Sequence, residues 1–269
     1  MTAAASALPR RWHRFSLSER ILRSCFYLLA AVAVIWSIKT IEIIPEFLQD
    51  APAQTADLFA RMWPIDWSWY KSGVHAALIE TLHTATLGTI LAVLLASLVA
   101  LLAARNVTRS VILNTIARFI LVATRSVHAM VWALFFVAVF GPGALAGTLA
   151  IAVHSIGFTG KLLSEAIEEA KTGPIEALTA AGATKLSILA KGYWPQVKPA
   201  FLGVAIFRWD INIRESAVLG LVGGGGLGMA LEAALENLYW DRVGLVLIII
   251  FGIVIAAEIL TTWLRSRII

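Results

Sequence analysis

The sequence predicts an all-α polytopic membrane protein with about six transmembrane helices, and three observations predict it. Of its 269 residues, 59% are hydrophobic and only 14% are charged, with a mean hydropathy of +0.81, too apolar for an ordinary soluble domain. Several apolar runs reach the ~20 residues needed to cross a ~30 Å hydrocarbon core. The cations fall in alternate connecting segments. The expected inner segments hold 15 of the 22 lysines and arginines, and the expected outer ones hold three, with seven acids outside against five inside. That asymmetry places both termini on the cytoplasmic side. It also explains the net charge of +5 as a partner of the lipid bilayer and argues against nucleic acid. The single cysteine, Cys25, allows no intramolecular disulfide and no cysteine-built metal site.

Residues 1–24 form a basic inner segment with Arg10, Arg11, Arg14, Arg20 and Arg23 against one acid, Glu19. Ser16-Leu-Ser-Glu19 is a capping-box pattern that starts a helix near Leu17. A single transmembrane domain is expected over 25–264. Its first span covers about 22–44 and stays uncleaved, with Lys39 and Glu42 reaching the outer interface. Residues 45–75 make an outer polar interval closed by Trp63, Trp67, Trp69 and Tyr70, an aromatic belt. The second span, about 76–103, is rich in Ala, Gly and Thr, which let membrane helices approach closely. Arg105, Arg109 and Arg118 mark the next segment as inside.

The third span is expected over about 119–140 and carries Arg125 and His128. Gly141-Pro142-Gly143 turns outside, and the fourth span, about 144–160, holds His154. The longest polar inner interval, 161–199, reads as two short helices, Gly160–Lys171 and Pro174–Ala190, broken at Thr172-Gly173-Pro174. Within it Ala177, Ala180, Ala181 and Gly182 present a small-residue surface that admits a close partner, and Pro195 ends the segment. The fifth span starts near Val197–Pro199, the last covers about 243–264, and 265–269 is an inner tail.

The fifth span is unusual because Arg208, Asp210, Asn212, Arg214 and Glu215 fall within eight residues. Arg208, Asn212 and Glu215 share one helical face, and Asp210 and Arg214 have the i, i+4 spacing of an ion pair. Each charge facing lipid costs about 2.5–3.5 kcal/mol, so this helix faces protein or water. Together with Arg125 and His154 these residues are candidates for a translocation pathway or an intramembrane network. Gly220, Gly223, Gly224, Gly225 and Gly226 end the span and are expected to give backbone flexibility and close approach there, as a gate or a re-entrant turn. No catalytic pairing and no metal-ligand cluster is evident, so the chain is not read as an enzyme. There is no G-x-x-x-x-G-K-[ST] phosphate loop, so nucleotide hydrolysis by that route lies elsewhere.

Glu176-Ala177-Leu178-x-x-x-Gly182 with Pro195 thirteen residues on resembles the cytoplasmic coupling loop of ABC-importer permeases. Gly192 and Trp194 depart from the isoleucine and leucine usual in that loop. More specifically, the chain is similar to permeases of phosphonate and phosphite importers. This likeness rests on Glu80-Thr81-Leu82, Arg125-Ser126-Val127, Val131-Trp132-Ala133-Leu134, His154-Ser155-Ile156-Gly157 and Phe207-Arg208-x-Asp210-x-Asn212-x-Arg214. His128 stands where such permeases tend to carry proline. The resemblance implies a type I importer permease fold in a bacterial inner membrane. It implies a homodimer with two separate ABC ATPase subunits that hold ATP and Mg, and a periplasmic binding protein that delivers a phosphorus oxyanion. Glu176, Ala177, Gly182 and Pro195 would then couple to the ATPase. The alternative is an ion-coupled secondary transporter that uses the Arg/Asp/Glu cluster as a relay, for which no inverted repeat is found.

Overall fold

The computed structural model describes residues 15–41 and 45–268. Glu42, expected to reach the outer interface, and the inner arginines Arg10, Arg11 and Arg14 lie outside these. The chain divides into two units, one ending at Asp57 and the other beginning at Leu58. In the first, α1 (Leu17–Thr40) opens on the expected capping box. The Ser16 side chain accepts from the Glu19 N–H, and the Glu19 carboxylate accepts from the Ser16 N–H at 3.0 Å. This helix is long and apolar enough to span a membrane. α2 (Pro45–Arg61) occupies the interval that reads as irregular in the sequence. Its acids, Glu46, Asp50 and Asp57, fall on the face opposite Leu48 and Phe59, an amphipathic pattern that its two prolines conceal. Pro45 sits at the first helical position, where no N–H is needed.

The second unit is built around α3 (His75–Ala103) and α6 (Ala144–Glu168), the most extensive helix pair. Between them lie α4 (Val111–Ser126) and α5 (Ala129–Phe140). α3 buries Ala85, Gly88, Ala92, Ala96, Ala100 and Ala103, and α6 buries Gly147, Ala150, Gly157 and Gly160. With so little side chain between them, the two backbones pack directly, which is how membrane helices associate without a hydrophobic driving force. At Gly88 an added methyl would come within 2.7 Å of Ile151 Cγ2, and at Gly147 it would overlap the Gly224 carbonyl oxygen. Gly252, on the last helix, has nothing within 4 Å. Gly147→Ala should therefore cost about 1–3 kcal/mol of stability, read as a lower melting temperature in detergent, whereas Gly252→Ala should leave it unchanged.

The third span differs from the expected one. It begins eight residues earlier, at Val111, and is broken at Val127 and His128, where α4 and α5 meet at 90°. The early start comes from Ser110, whose hydroxyl caps the Leu113 N–H. The break needs no proline. His128 leaves helical geometry (φ −64°, ψ 147°) and its Nδ1 accepts from the Met130 N–H at 3.2 Å, so the imidazole caps α5.

The fourth span also outruns its expected end. α6 continues to Glu168, so Gly160–Lys171 is not a separate helix. Leu163 and Ile167 are buried beside Ala100, Ala104, Tyr193 and Val197, and this apolar packing carries the helix through the polar interval. There follow α7 (Thr172–Ala180), the single turn α8 (Lys185–Ile188), a π-helical turn over Leu189–Tyr193 and α9 (Trp194–Leu219). A 3₁₀ turn over Gly220–Val222 leads to α10 (Gly226–Glu236) and α11 (Trp240–Ile268). Among the described residues, with α4 and α5 counted as one bent span, six segments have the length and composition to cross a membrane.

Candidate functional site

The intramembrane polar residues form two separate groups on α9. On the first face, hydrogen bonds run in one direction. Arg208 Nη2 donates to both Glu215 oxygens (3.0 and 3.2 Å) and Arg208 Nε donates to Ser155 Oγ (2.8 Å). Ser155 then donates to Asn212 Oδ1 (3.1 Å), Asn212 Nδ2 to Thr89 Oγ1 (2.8 Å), and Thr89 to the Ala85 carbonyl (2.6 Å). Each hydroxyl in the chain both accepts and donates, so burial leaves none of these links unmatched. Arg208, Asn212 and Ser155 are buried, and Glu215 keeps 22% side-chain exposure. The chain joins α3, α6 and α9 through polar atoms at the centre of an apolar bundle, where a lost link is costly.

His154 lies at the edge of this chain. Its Nδ1 is 3.0 Å from the Val127 carbonyl, which can only accept, so Nδ1 carries the proton. Val127 is the residue that caps the end of α4, and its carbonyl is freed by the break at His128. His154 thus pins the bend to α6. Its other nitrogen, Nε2, faces Glu215 Oε1 at 3.8 Å, and the His128 ring centroid is 6.1 Å away. Arg125 does not join this group. It is exposed at the end of α4 and lines a small cleft with Arg118, Lys161, Glu165 and Glu168.

The second face of α9 carries Asp210 and Arg214, paired at 2.5 Å. Arg214 Nη1 also donates to Glu258 Oε2 of α11 at 3.3 Å. Asp210 is buried, and its second oxygen, Oδ1, has no hydrogen-bond partner among the described residues. The Arg214 side chain is 41% exposed and that of Glu258 60%. Both exposures fall within spans. Lipid is an unfavourable neighbour for either charge, so protein or water covers this side of the bundle.

The polar segment between α6 and α9 is organised by one glycine. Gly182 has φ +74° and ends α7 in a two-bond cap. Its N–H bonds the Thr179 carbonyl and the Ala183 N–H bonds the Leu178 carbonyl, both at 3.0 Å. This is the Schellman arrangement, which wants glycine at the left-handed position. Thr184 then caps α8 by accepting from the Ser187 N–H. The expected continuous helix over Pro174–Ala190 is therefore two helices at a sharp corner. Ile175 and Leu178 turn inward, where Leu178 Cδ1 and Ile175 Cγ1 would lie 3.3 and 3.5 Å from a methyl on buried Gly192. Gln196 ties the start of α7 to the start of α9, accepting from the Lys171 N–H at 2.9 Å and donating to the Gly192 carbonyl at 2.8 Å. Glu176, Ala177, Ala180, Ala181 and Gly182 are left exposed on the outer side.

Pro195 does not stop the segment as the sequence suggests. It occupies the first turn of α9, and the Trp194 N–H reaches back to the Leu189 carbonyl across the π-helical turn. The wider turn absorbs the residue that cannot donate, so the helix runs on without a loop.

A family described as binding-protein-dependent transport system inner membrane component matches residues 92–269. The chain belongs to that family. A phosphite transport system permease protein of Stutzerimonas stutzeri, PtxC, is 40% identical over 79% of this chain and 77% of its own length. A phosphate-import permease protein, PhnE, of Mycolicibacterium smegmatis is 34% identical over 98% of this chain, which spans about half (48%) of that relative. Among solved structures, a chain of the MetNI methionine ABC transporter in an inward-facing conformation superposes with a TM-score of 0.61 at 22% identity. It covers 77% of this chain and 99% of its own. A chain of an amino acid ABC transporter solved with histidines gives 0.58 at 20%, covering 81% and 97%. These structural likenesses bear on fold alone, which is that of type I ABC-importer permeases; the permease family rests on the match over residues 92–269.

In this permease the glycine run after α9 is crowded rather than open. Gly223, Gly225 and Gly226 have φ of +84°, +86° and +70°. The Gly224 N–H caps Leu219 at 2.9 Å, and the Gly143 N–H bonds the Gly223 carbonyl at 2.8 Å. A methyl on Gly220 would come within 2.5 Å of the Gly225 oxygen and the Gly228 Cα, and one on Gly226 would overlap Thr81 Oγ1. The close backbone approach expected of this run describes its geometry. Thr81 anchors it, accepting from the Leu227 N–H at 2.8 Å, while its backbone carbonyl accepts from Ser216 at 3.2 Å.

Two functional candidates escape the sequence reading. Ser155 looks like ordinary small-residue packing in an Ala- and Gly-rich helix. Glu258 carried a usable signal, since it is the sole acid between Val243 and Ile268 and an ionisable residue inside a span is a site candidate by default. Among the described residues no cluster of His, Cys, Asp and Glu could hold a metal ion.

Proposed function

We propose that this chain is the transmembrane subunit of an ATP-binding-cassette importer that moves phosphite, a phosphonate or a related phosphorus oxyanion across a bacterial inner membrane. Two copies form a homodimer with the pathway between them, and both termini lie in the cytoplasm. Two separate ATPase subunits bind ATP and Mg and dock on the 161–199 segment. A periplasmic protein delivers the anion. The relatives' names carry the substrate class, because phosphite and phosphate permeases share oxyanion handling. One observation carries the coupling role. α7 turns the half-buried Ile175 and Leu178 toward its own chain and leaves Glu176, Ala177 and Gly182 exposed, on the side that charge counting places inside. Force applied there passes to α9 through the Gln196 bonds and the continuous helix from Lys185.

The two faces of α9 divide the labour. Arg214 and Glu258 belong to the side covered by the second copy or by the aqueous pathway, because lipid disfavours them. Arg208, with Ser155 and Glu215, is the better anion contact of the two arginines. It faces one carboxylate, whereas Arg214 faces two. The test is uptake of radiolabelled phosphite into proteoliposomes that hold this permease with its ATPase and binding protein. Uptake should require internal ATP and both partners and should survive an uncoupler. Uptake by the permease alone, collapsed by the uncoupler, would instead make it an ion-coupled transporter.

A further inference from the structure

The segment 105–110, which joins α3 to α4, and the first turns of α4 line an open cleft of about 670 Å³ that belongs to neither group above. Its polar wall holds Arg105, Arg109 and Arg118, and no carboxylate lines it. Arg118 is already engaged, donating to the Ala103 carbonyl at 3.0 Å and pairing with Glu168 at 2.7 Å outside the cleft. Among the described residues the side chains of Arg105 and Arg109 have no ion pair. The cleft's other wall is the α4 face bearing Val111, Phe119 and Val122, with side chains 79%, 70% and 46% exposed. These positions lie on one stripe of the helix and run about 16 Å along it from its N-terminus.

The cleft thus has a cationic mouth and an apolar floor that leads away from it into a span. Water does not suit the floor, and lipid tails alone do not suit the mouth. A soluble polyanion would satisfy the arginines and leave Val111 and Phe119 bare. A second copy of this chain would bring the same arginines and repel. One class of molecule matches both parts. We propose that this cleft binds an anionic phospholipid from the inner leaflet, with its phosphodiester between Arg105 and Arg109 and an acyl chain along Val111, Phe119 and Val122. Basic pockets between spans on the cytoplasmic side are suited to such headgroups. The proposal rests on the inward placement of this end by charge counting, and it stands whichever substrate the permease carries.

The experiment is native mass spectrometry of the purified full-length permease titrated with phosphatidylglycerol, phosphatidylcholine or inorganic phosphate. Phosphatidylglycerol should be retained in preference to phosphatidylcholine, and millimolar inorganic phosphate should not displace it. Arg105→Gln with Arg109→Gln should weaken phosphatidylglycerol binding about 30-fold, at about 1 kcal/mol for each cation near a charged surface. Arg265→Gln with Arg267→Gln, which removes an equal charge from the same side, should leave it unchanged. Arg105→Lys with Arg109→Lys should keep most of the binding, which separates loss of the site from loss of the fold. Equal retention of the two lipids would overturn the proposal, as would an equal effect of the two glutamine pairs. Displacement by phosphate alone would reassign the cleft to a free anion.

Discussion

Arg208→Met should lower the melting temperature of the purified permease and reduce ATP-driven uptake at least tenfold. Removing one partner of a buried ion pair costs about 3–5 kcal/mol, because the other charge remains without compensation. Here Glu215 would be left facing His154 Nε2 at 3.8 Å, and Ser155 would lose the donor that orders its hydroxyl. The double variant Arg208→Met, Glu215→Met separates structure from passage. Replacing both charges by apolar groups of similar size is often neutral or stabilising, so the melting temperature should return to near its starting value. Uptake should not return if Arg208 meets the anion in transit. Recovery of both stability and uptake in the double variant would assign the pair to structure alone.

Gly182→Val should abolish uptake while the chain still inserts and folds. The left-handed conformation costs a residue with a side chain about 1–2 kcal/mol, and a β-branched residue tolerates it least. That penalty falls on the corner between α7 and α8, which carries few buried contacts, so global stability should change little. Gly182→Asn distinguishes backbone from contact, because asparagine accepts the left-handed region and keeps the cap. Among the described residues, no atom beyond the adjoining ones lies within 4 Å of a methyl placed on Gly182. Any loss of uptake in the asparagine variant therefore reports crowding against another subunit. We expect that loss, with ATPase subunits dissociating from the variant during purification. Normal uptake with Gly182→Val would remove this corner from the coupling path.

Much of this was legible in the sequence because membranes impose simple rules on it. Span number and sidedness follow from apolar length and cation placement, and the shared face of Arg208, Asn212 and Glu215 follows from helical periodicity. The small residues of the second span signal close packing, and Gly147, Gly88 and Ile151 deliver it. The early start of α4 and its 90° bend were not legible. His128 reads as an interior polar residue until its imidazole is seen capping Met130, and a side-chain cap formed by histidine has no local sequence signature. The continuation of α6 to Glu168 was hidden as well, because its cause is the burial of Leu163 and Ile167 against residues up to 67 positions away in the chain.

By itself the sequence determined an all-helical chain with six candidate spans, the exposed small-residue segment and the presence of a charged fifth helix. Each of these depends on properties summed over one stretch of chain, such as hydropathy, charge and period. Only the tertiary structure decided which partners those charges take. It gave Arg208 to Ser155 and Glu215, gave Arg214 a second carboxylate in Glu258, and left Arg125 outside both groups. It also turned the glycine run from a flexible stretch into a crowded turn against Thr81 and Gly143. Pairings of this kind depend on which backbones approach, and that is settled by packing between α3, α6, α9 and α11, not by any one of them.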